Sequence, residues 1–219
     1  MKNTLFVINP NSNASVTAAI DAAMQPLRRS GGPRIECVTM KNGPAGVQTQ
    51  QDVDDAALLV RQFAREHQEE ALGFVTACFS DPGLHALRDI EGVLSLGISE
   101  CAALTAMTIG HRFGVIAILE ASIPRHLRTW GAMGITDRLA GEIAIGRSVA
   151  DLSDSKATLD AMIVAGRRLR DDCGAHVLVM GCAGMAPYRG TLEDAVGLPV
   201  VEPTQAAVAM ALGRLQLGW

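Results

Sequence analysis

One pattern constrains this chain more than any other: a series of short, β-branched runs separated by helical stretches that stops near residue 110 and then starts again. The first series is TLFVIN (Thr4–Asn9), RIECVTM (Arg34–Met40), ALGFVTAC (Ala71–Cys78) and VLSLG (Val93–Gly97). The second is FGVIAIL (Phe113–Leu119), AGEIAIG (Ala140–Gly146), AHVLVMGC (Ala175–Cys182) and LPVVE (Leu198–Glu202). Strands alternating with helices predict parallel sheets covered by helices, because parallel neighbours need a crossover long enough to hold one. Matching landmarks in the two series lie about 105 residues apart, far beyond any solenoid repeat, so the spacing predicts a duplicated four-stranded α/β unit folded as two facing lobes.

Helical periodicity fills the gaps. VDDAALLVRQFAREH (Val53–His67) carries acids early and bases late, and SDSKATLDAMIVAGRRLRDDCG (Ser153–Gly174) opens on a cap residue and ends near a glycine; the two read as equivalent helices. The last segment, PTQAAVAMALGRLQL (Pro203–Leu217), begins with a proline suited to a first helical turn and is expected to pack back on the first lobe. With the restart at His111 as boundary, residues 1–110 plus 203–219 form one expected lobe and 111–202 the other.

The duplication places two cysteines in equivalent positions. Cys78 and Cys182 each close a buried strand just before turn residues, where open α/β sheets place their chemistry. A single cysteine there reads as a small buried hydrophobe; a matched pair reads as a two-sided active site. A turn leading into a helix supplies N–H groups that stabilise a thiolate or a substrate oxyanion. Ser80 or Asp81 is the expected cap of the helix after Cys78, with Pro82 at its first position. Two thiols facing one pocket suit proton transfer in which one removes a carbon-bound proton and the other returns one to the opposite face.

Other classes are disfavoured by composition. Hydrophobic residues make up 48% of the 219, the net charge is −4 and aromatics are 4%, which excludes disorder and gives no electrostatic or stacking case for nucleic acid. No apolar run approaches membrane-spanning length, and the N-terminal run ending at Asn9 is too short for a signal sequence, so a cytoplasmic protein is expected. The five cysteines include no C-x-x-C pair and the five histidines are scattered, so reduced thiols and no metal site are expected. Cys37, Cys101 and Cys173 read as core or incidental residues. Asn9 and Asn11, just past the first strand, either bind a substrate carbonyl or make an Asx turn. Ser122 either faces the cleft or caps the IPRHLRTW helix, and Arg125, His126 and Arg128 read as a solvated helix face.

These residues carry a resemblance. FVINPNSNASVT at the start, ACFSDPGL around Cys78, SIPRHLRTWGAMGITDRLAGE from Ser122 and GCAGM around Cys182 resemble hydantoin and allantoin racemases of the aspartate/glutamate racemase superfamily, over nearly the whole chain. The resemblance implies two similar α/β lobes related by a pseudo-twofold axis with the active site in the cleft between them, and a homo-oligomer. It implies a cofactor-independent racemase that inverts C5 of a 5-monosubstituted hydantoin, or allantoin, with Cys78 and Cys182 as the acid/base pair. The implied partner is thus a small cyclic ureide. Backbone N–H groups beside Phe79, Ser80, Ala183 and Gly184 are the natural donors to the enolate oxygen, and Val47, Phe79, Met40 and Ile118 are candidates to shape the pocket. The resembling proteins often carry a serine near Gly46, which this chain lacks. Phe79-Ser80 and Ala183-Gly184 after the two cysteines, in place of polar pairs, suit a neutral ring over a free amino acid. Maleate-type isomerases, amino-acid racemases and arylmalonate-type decarboxylases share the scaffold and stand as alternatives, ahead of a non-enzymatic binding module.

Overall fold

The computed structural model describes residues 2–219 and contains two four-stranded parallel sheets of identical order. In the first, β1 (Thr4–Asn9) lies between β2 (Arg34–Thr39) and β3 (Ala71–Thr76), and β4 (Leu94–Gly97) pairs with β3. In the second, β5 (Phe113–Ala117) lies between β6 (Leu139–Ala144) and β7 (Val177–Met180), and β8 (Val200–Val201) pairs with β7. All eight expected strands are present. Several are shorter at their C-terminal ends: β3 stops at Thr76 and β7 at Met180, so each cysteine stands two residues past its strand instead of closing it. Ladder pairing with β4 ends at Gly97, and beyond it the chain turns, Asp81 N donating to Cys78 O at 2.9 Å.

The strands are apolar on both faces, as parallel strands covered by helices must be. Along β1, Leu5 and Val7 enter the principal core while Phe6 and Ile8 join a second cluster with Val60, Ala64, Phe74 and Leu87. Phe6 meets Phe63 edge-on and stacks near Phe74 under helix α2 (Gln50–His67), each fully buried ring contributing roughly 1.5–3 kcal/mol. The principal core is continuous from the first sheet to the second, so the inner faces of both halves share one interior.

Helix ends follow local chemistry. Asn13 caps α1 (Ala14–Ala23), Thr49 and Asp52 form a reciprocal capping box on α2, and Asp154 caps α6 (Ser155–Asp171). The short helix α3 (Leu84–Leu87) departs from expectation. Its start is set by Gly83 in the left-handed region at φ 78°, and neither Ser80 nor Asp81 caps it. Asp81, itself at φ 44°, instead turns its carboxylate onto the next helix, α4 (Ile98–Ile109), accepting from Ser99 N at 2.9 Å and Glu100 N at 3.0 Å. Helix α5 (Ile123–Met133) ends at Gly134 in the left-handed region, and α7 (Arg189–Val196) ends likewise at Gly197. The last helix, α8 (Pro203–Leu217), is capped by Glu202 and packs on α4, β3 and β4 of the first sheet. No helix among the described residues is long and apolar enough to cross a membrane.

Candidate active site

In each sheet the two central strands send their following loops toward the same place, the crevice where strand order reverses. The loops after β1 and β3 meet those after β5 and β7 around one cavity with about 430 Å³ of empty space, counting its mouth. Its lining includes Asn11, Val47, Cys78, Phe79, Ser80, Ser122, Cys182, Ala183 and Gly184. Cys78 and Cys182 are therefore brought together from separate sheets. Cys37 on β2, Cys101 in α4 and Cys173 past α6 lie elsewhere.

The two thiols are held alike. Each follows a small residue: Ala77 before Cys78 and Gly181 before Cys182, the latter pressed so close to β5 that a Cβ would stand 2.6 Å from Ile116 O. Each sulfur accepts a backbone N–H from two residues on, Ser80 to Cys78 and Gly184 to Cys182. Burial nevertheless dominates. It pushes the Cys78 thiol up to about 12 and the Cys182 thiol up to about 11, because an anion loses more hydration than these N–H groups return. The surrounding charges differ: at Cys78 the other thiol and Asp81 oppose a thiolate while Arg125 favours one, and at Cys182 Glu202 opposes one.

The polar groups around the thiols have defined partners. Asn9 is fully buried behind the cavity and does not line it: its Oδ1 accepts from Asn11 N, and its Nδ2 donates to Asn11 Oδ1, Asn13 O and Thr17 Oγ1. Of the two uses open to Asn9, the structure gives the Asx turn. Asn11 Oδ1 is committed to Asn9 Nδ2 and Asn13 N, which leaves the Asn11 amide NH₂ as a donor at the cavity wall. Ser122 is buried, lines the cavity and makes no side-chain cap; its Oγ accepts from an Arg125 terminal nitrogen at 3.3 Å. Val16, Val47, Ile118, Phe79 and Val149 supply apolar walls, whereas Met40 lies outside, against the cluster under α2.

The solvated-face reading of Arg125, His126 and Arg128 is corrected by the structure: only Arg128 is exposed. Arg125 and His126 are buried and line the cavity. Arg125 reaches across to the first half, donating to Gln48 O at 2.9 Å as well as to Ala121 O in its own. His126 lies between Phe79, edge-on at 5.1 Å, and Trp130, and its Nδ1 is bonded to Glu142 Oε1 on β6. The signal available in sequence was the i, i+4, i+8 row Ser122, His126, Trp130, which puts a hydroxyl and an imidazole on the same face as a core tryptophan.

The roof is made by the loops after β2 and β6. Gly46 of one faces Val149 of the other so closely that a Cβ on Gly46 would stand 2.9 Å from both Val149 Cβ and Cγ2.

Comparison with known proteins gives concordant matches. A family model described as Asp/Glu/Hydantoin racemase matches residues 5–211. The hydantoin racemase of Rhizobium meliloti is 32% identical over 220 residues, covering 98% of this chain and 90% of that protein. The solved structure of an allantoin racemase from Klebsiella pneumoniae superposes with a TM-score of 0.90 at 30% identity, covering 98% of this chain and 88% of that one. A glutamate racemase from Francisella tularensis shares the fold, with a TM-score of 0.70 at 12% identity over 99% of this chain and 82% of its own.

Proposed function

Since the chain belongs to the Asp/Glu/hydantoin racemase family, we propose that it inverts C5 of 5-monosubstituted hydantoins or of allantoin, using Cys78 and Cys182 as the two bases and no cofactor. The observation that carries this reading is the pairing itself: two thiols from equivalent loops of the two sheets line one cavity, each sulfur held by a backbone N–H. The same reading takes residues 1–110 with 203–219 as one lobe and 111–202 as the other, and places the protein in the cytoplasm as a homo-oligomer.

The chemistry follows from the substrate and the walls. The C5 proton of a hydantoin is acidified by the adjacent ring carbonyl, so removing it gives an enolate whose charge rests on oxygen. One cysteine, as thiolate, takes the proton; the other, as thiol, delivers one to the opposite face. The protonation states of the pair are exchanged by each turnover, which leaves the enzyme set for the other enantiomer. Asn11, Ser122 and the N–H groups beside Phe79, Ser80, Ala183 and Gly184 are the polar donors within reach of a bound ring, and Val47 contributes to its apolar wall. Closure of the roof keeps water from quenching the enolate.

The test is substitution of each thiol. Cys78→Ser and Cys182→Ser should each lower kcat for racemisation by about 10²–10⁴-fold, the usual contribution of one positioned acid or base. In deuterated water each variant should still exchange C5–H from one enantiomer more readily than from the other, read by NMR alongside circular dichroism. Full racemisation by either variant refutes the two-thiol mechanism.

A further inference from the structure

We infer that His126, held by Glu142, is a third catalytic group: its Nε2 donates a hydrogen bond to the ring carbonyl oxygen that becomes the enolate oxygen as C5 is deprotonated. The inference rests on the racemase reading above and assigns a group that the two-thiol scheme does not use.

The starting point is a buried pair with one unfilled position at each end. The side chains of His126 and Glu142 are 3% and 2% exposed, and Nδ1 is bonded to Oε1. Glu142 Oε2 is sealed and has no partner among the described residues. A net negative charge sealed from water with no partner charge is costly, which favours a pair that is neutral overall: one proton lies between Nδ1 and Oε1, and the ring's other proton is on Nε2. No group among the described residues accepts from Nε2, and His126, though buried, is one of the residues that line the cavity.

The ring cannot turn this donor elsewhere. Pro124 in the first turn of α5 fixes the helix start, Glu142 holds Nδ1 from the edge strand β6, Phe79 lies edge-on at 5.1 Å and Trp130 backs the ring at 6.4 Å. Phe79 directly follows Cys78, so the donor is fixed to the loop that carries one of the two bases. A donor already held in place is what a developing oxyanion requires, because it needs no reorganisation as charge appears. Since the enolate is common to both directions of racemisation, a single donor serves both enantiomers. Glu142 acts through His126 and is a positioning residue.

Two conservative substitutions separate this role from a structural one. The amide nitrogen of Asn overlays Nδ1, so His126→Asn keeps a bond to Glu142 and loses the donor into the cavity. The amide nitrogen of Gln overlays Nε2, so His126→Gln keeps the cavity donor and loses the Glu142 bond. Removing an oxyanion donor costs about 10²–10³-fold in kcat, so His126→Asn should fall by that factor with KM little changed, while His126→Gln stays within about tenfold of the parent. C5–H exchange in deuterated water should fall equally from both enantiomers in His126→Asn, unlike the one-sided losses of the thiol variants. Adding Glu142→Gln to His126→Asn should cost no more, because the two residues act as one unit. Should His126→Asn fail to fold, Glu142→Gln alone must show the symmetric loss of exchange. The inference is overturned if Asn retains more activity than Gln, or if exchange falls for one enantiomer alone. A parent enzyme inactive on every hydantoin and on allantoin refutes the substrate reading instead, so the two failures are distinguishable.

Discussion

Replacing Gly97 by alanine should damage the cavity from a distance. Gly97 is extended, at φ −108° and ψ 145°, a conformation that alanine adopts freely, so the backbone raises no objection. The objection is steric: the new Cβ would land on the Asp81 carboxylate, which fills the space over the start of α4. Expelling it breaks the bonds from Ser99 N and Glu100 N, at 2.9 and 3.0 Å, each a hydrogen bond to a charged group worth about 1.5–3 kcal/mol. Part of this is returned, because burial pushes the Asp81 carboxyl up to about 7 and release to water relieves that penalty. The clash itself adds the usual cost of overpacking, so a net loss of about 1–3 kcal/mol is expected, a fall in Tm of roughly 2–12 °C for a chain of this size. Asp81 also terminates the Cys78 turn at φ 44°, so its release withdraws Ser80 N–H from the Cys78 sulfur, and a displacement of about 1 Å there should cost on the order of 10²-fold in kcat. Thermal unfolding by circular dichroism and racemisation kinetics at low temperature read the two effects separately. Gly131→Ala, in open space within α5, is the control and should leave Tm unchanged or raise it. A Gly97→Ala protein that melts within about 2 °C of the parent and keeps its rate would refute the anchoring role given to Asp81.

Two further outcomes follow from the cavity. Burial holds the thiols near 12 and 11, so in the free enzyme the thiolate that the proposed mechanism uses is scarce at neutrality and grows with pH. Log kcat/KM should therefore climb with unit slope from about pH 7 to about pH 10 on an N3-methylated hydantoin, which does not itself titrate; a plateau below about pH 9 would refute thiols raised in this way. Gly46→Ala should push the roof loops apart and raise KM several-fold, while adding Val149→Gly should restore it, because both clashing atoms, Val149 Cβ and Cγ2, are then gone. If the double variant is no better than the single, the roof does not close at this seam.

Much of this architecture was legible because parallel strands advertise themselves. Runs such as TLFVIN and FGVIAIL are apolar on both faces, and their repetition carried the sheet count and the duplication. Strand ends were overread by up to two residues, since apolar character persists past the last ladder bond into Cys78 and Cys182. The cysteines were visible through their equivalence. His126 and Arg125 were not, because a run of bases beside Pro124 reads as solvated unless the turn of the helix is followed to Trp130. The histidine's partner, Glu142, is a lone acid in the strand run AGEIAIG, and no local pattern ties it to a helix residue 16 positions earlier. Asp81 was misassigned for a different reason: its target is the first turn of a helix 17 residues later, reached through the missing side chain of Gly97, and no local pattern encodes that contact.

The unequal neighbours of the two matched thiols carry a thermodynamic consequence. Mirror-image solutes have the same free energy in an achiral solvent, so the enzyme cannot favour either at equilibrium, whatever Arg125 does near one sulfur and Glu202 near the other. Such asymmetry must cancel between turnover and saturation: the enantiomer processed faster has to be the one that saturates the enzyme later, in the same proportion. The departure of the two halves from likeness is thus invisible in kcat/KM and is recorded in the separate constants for the left- and right-handed forms.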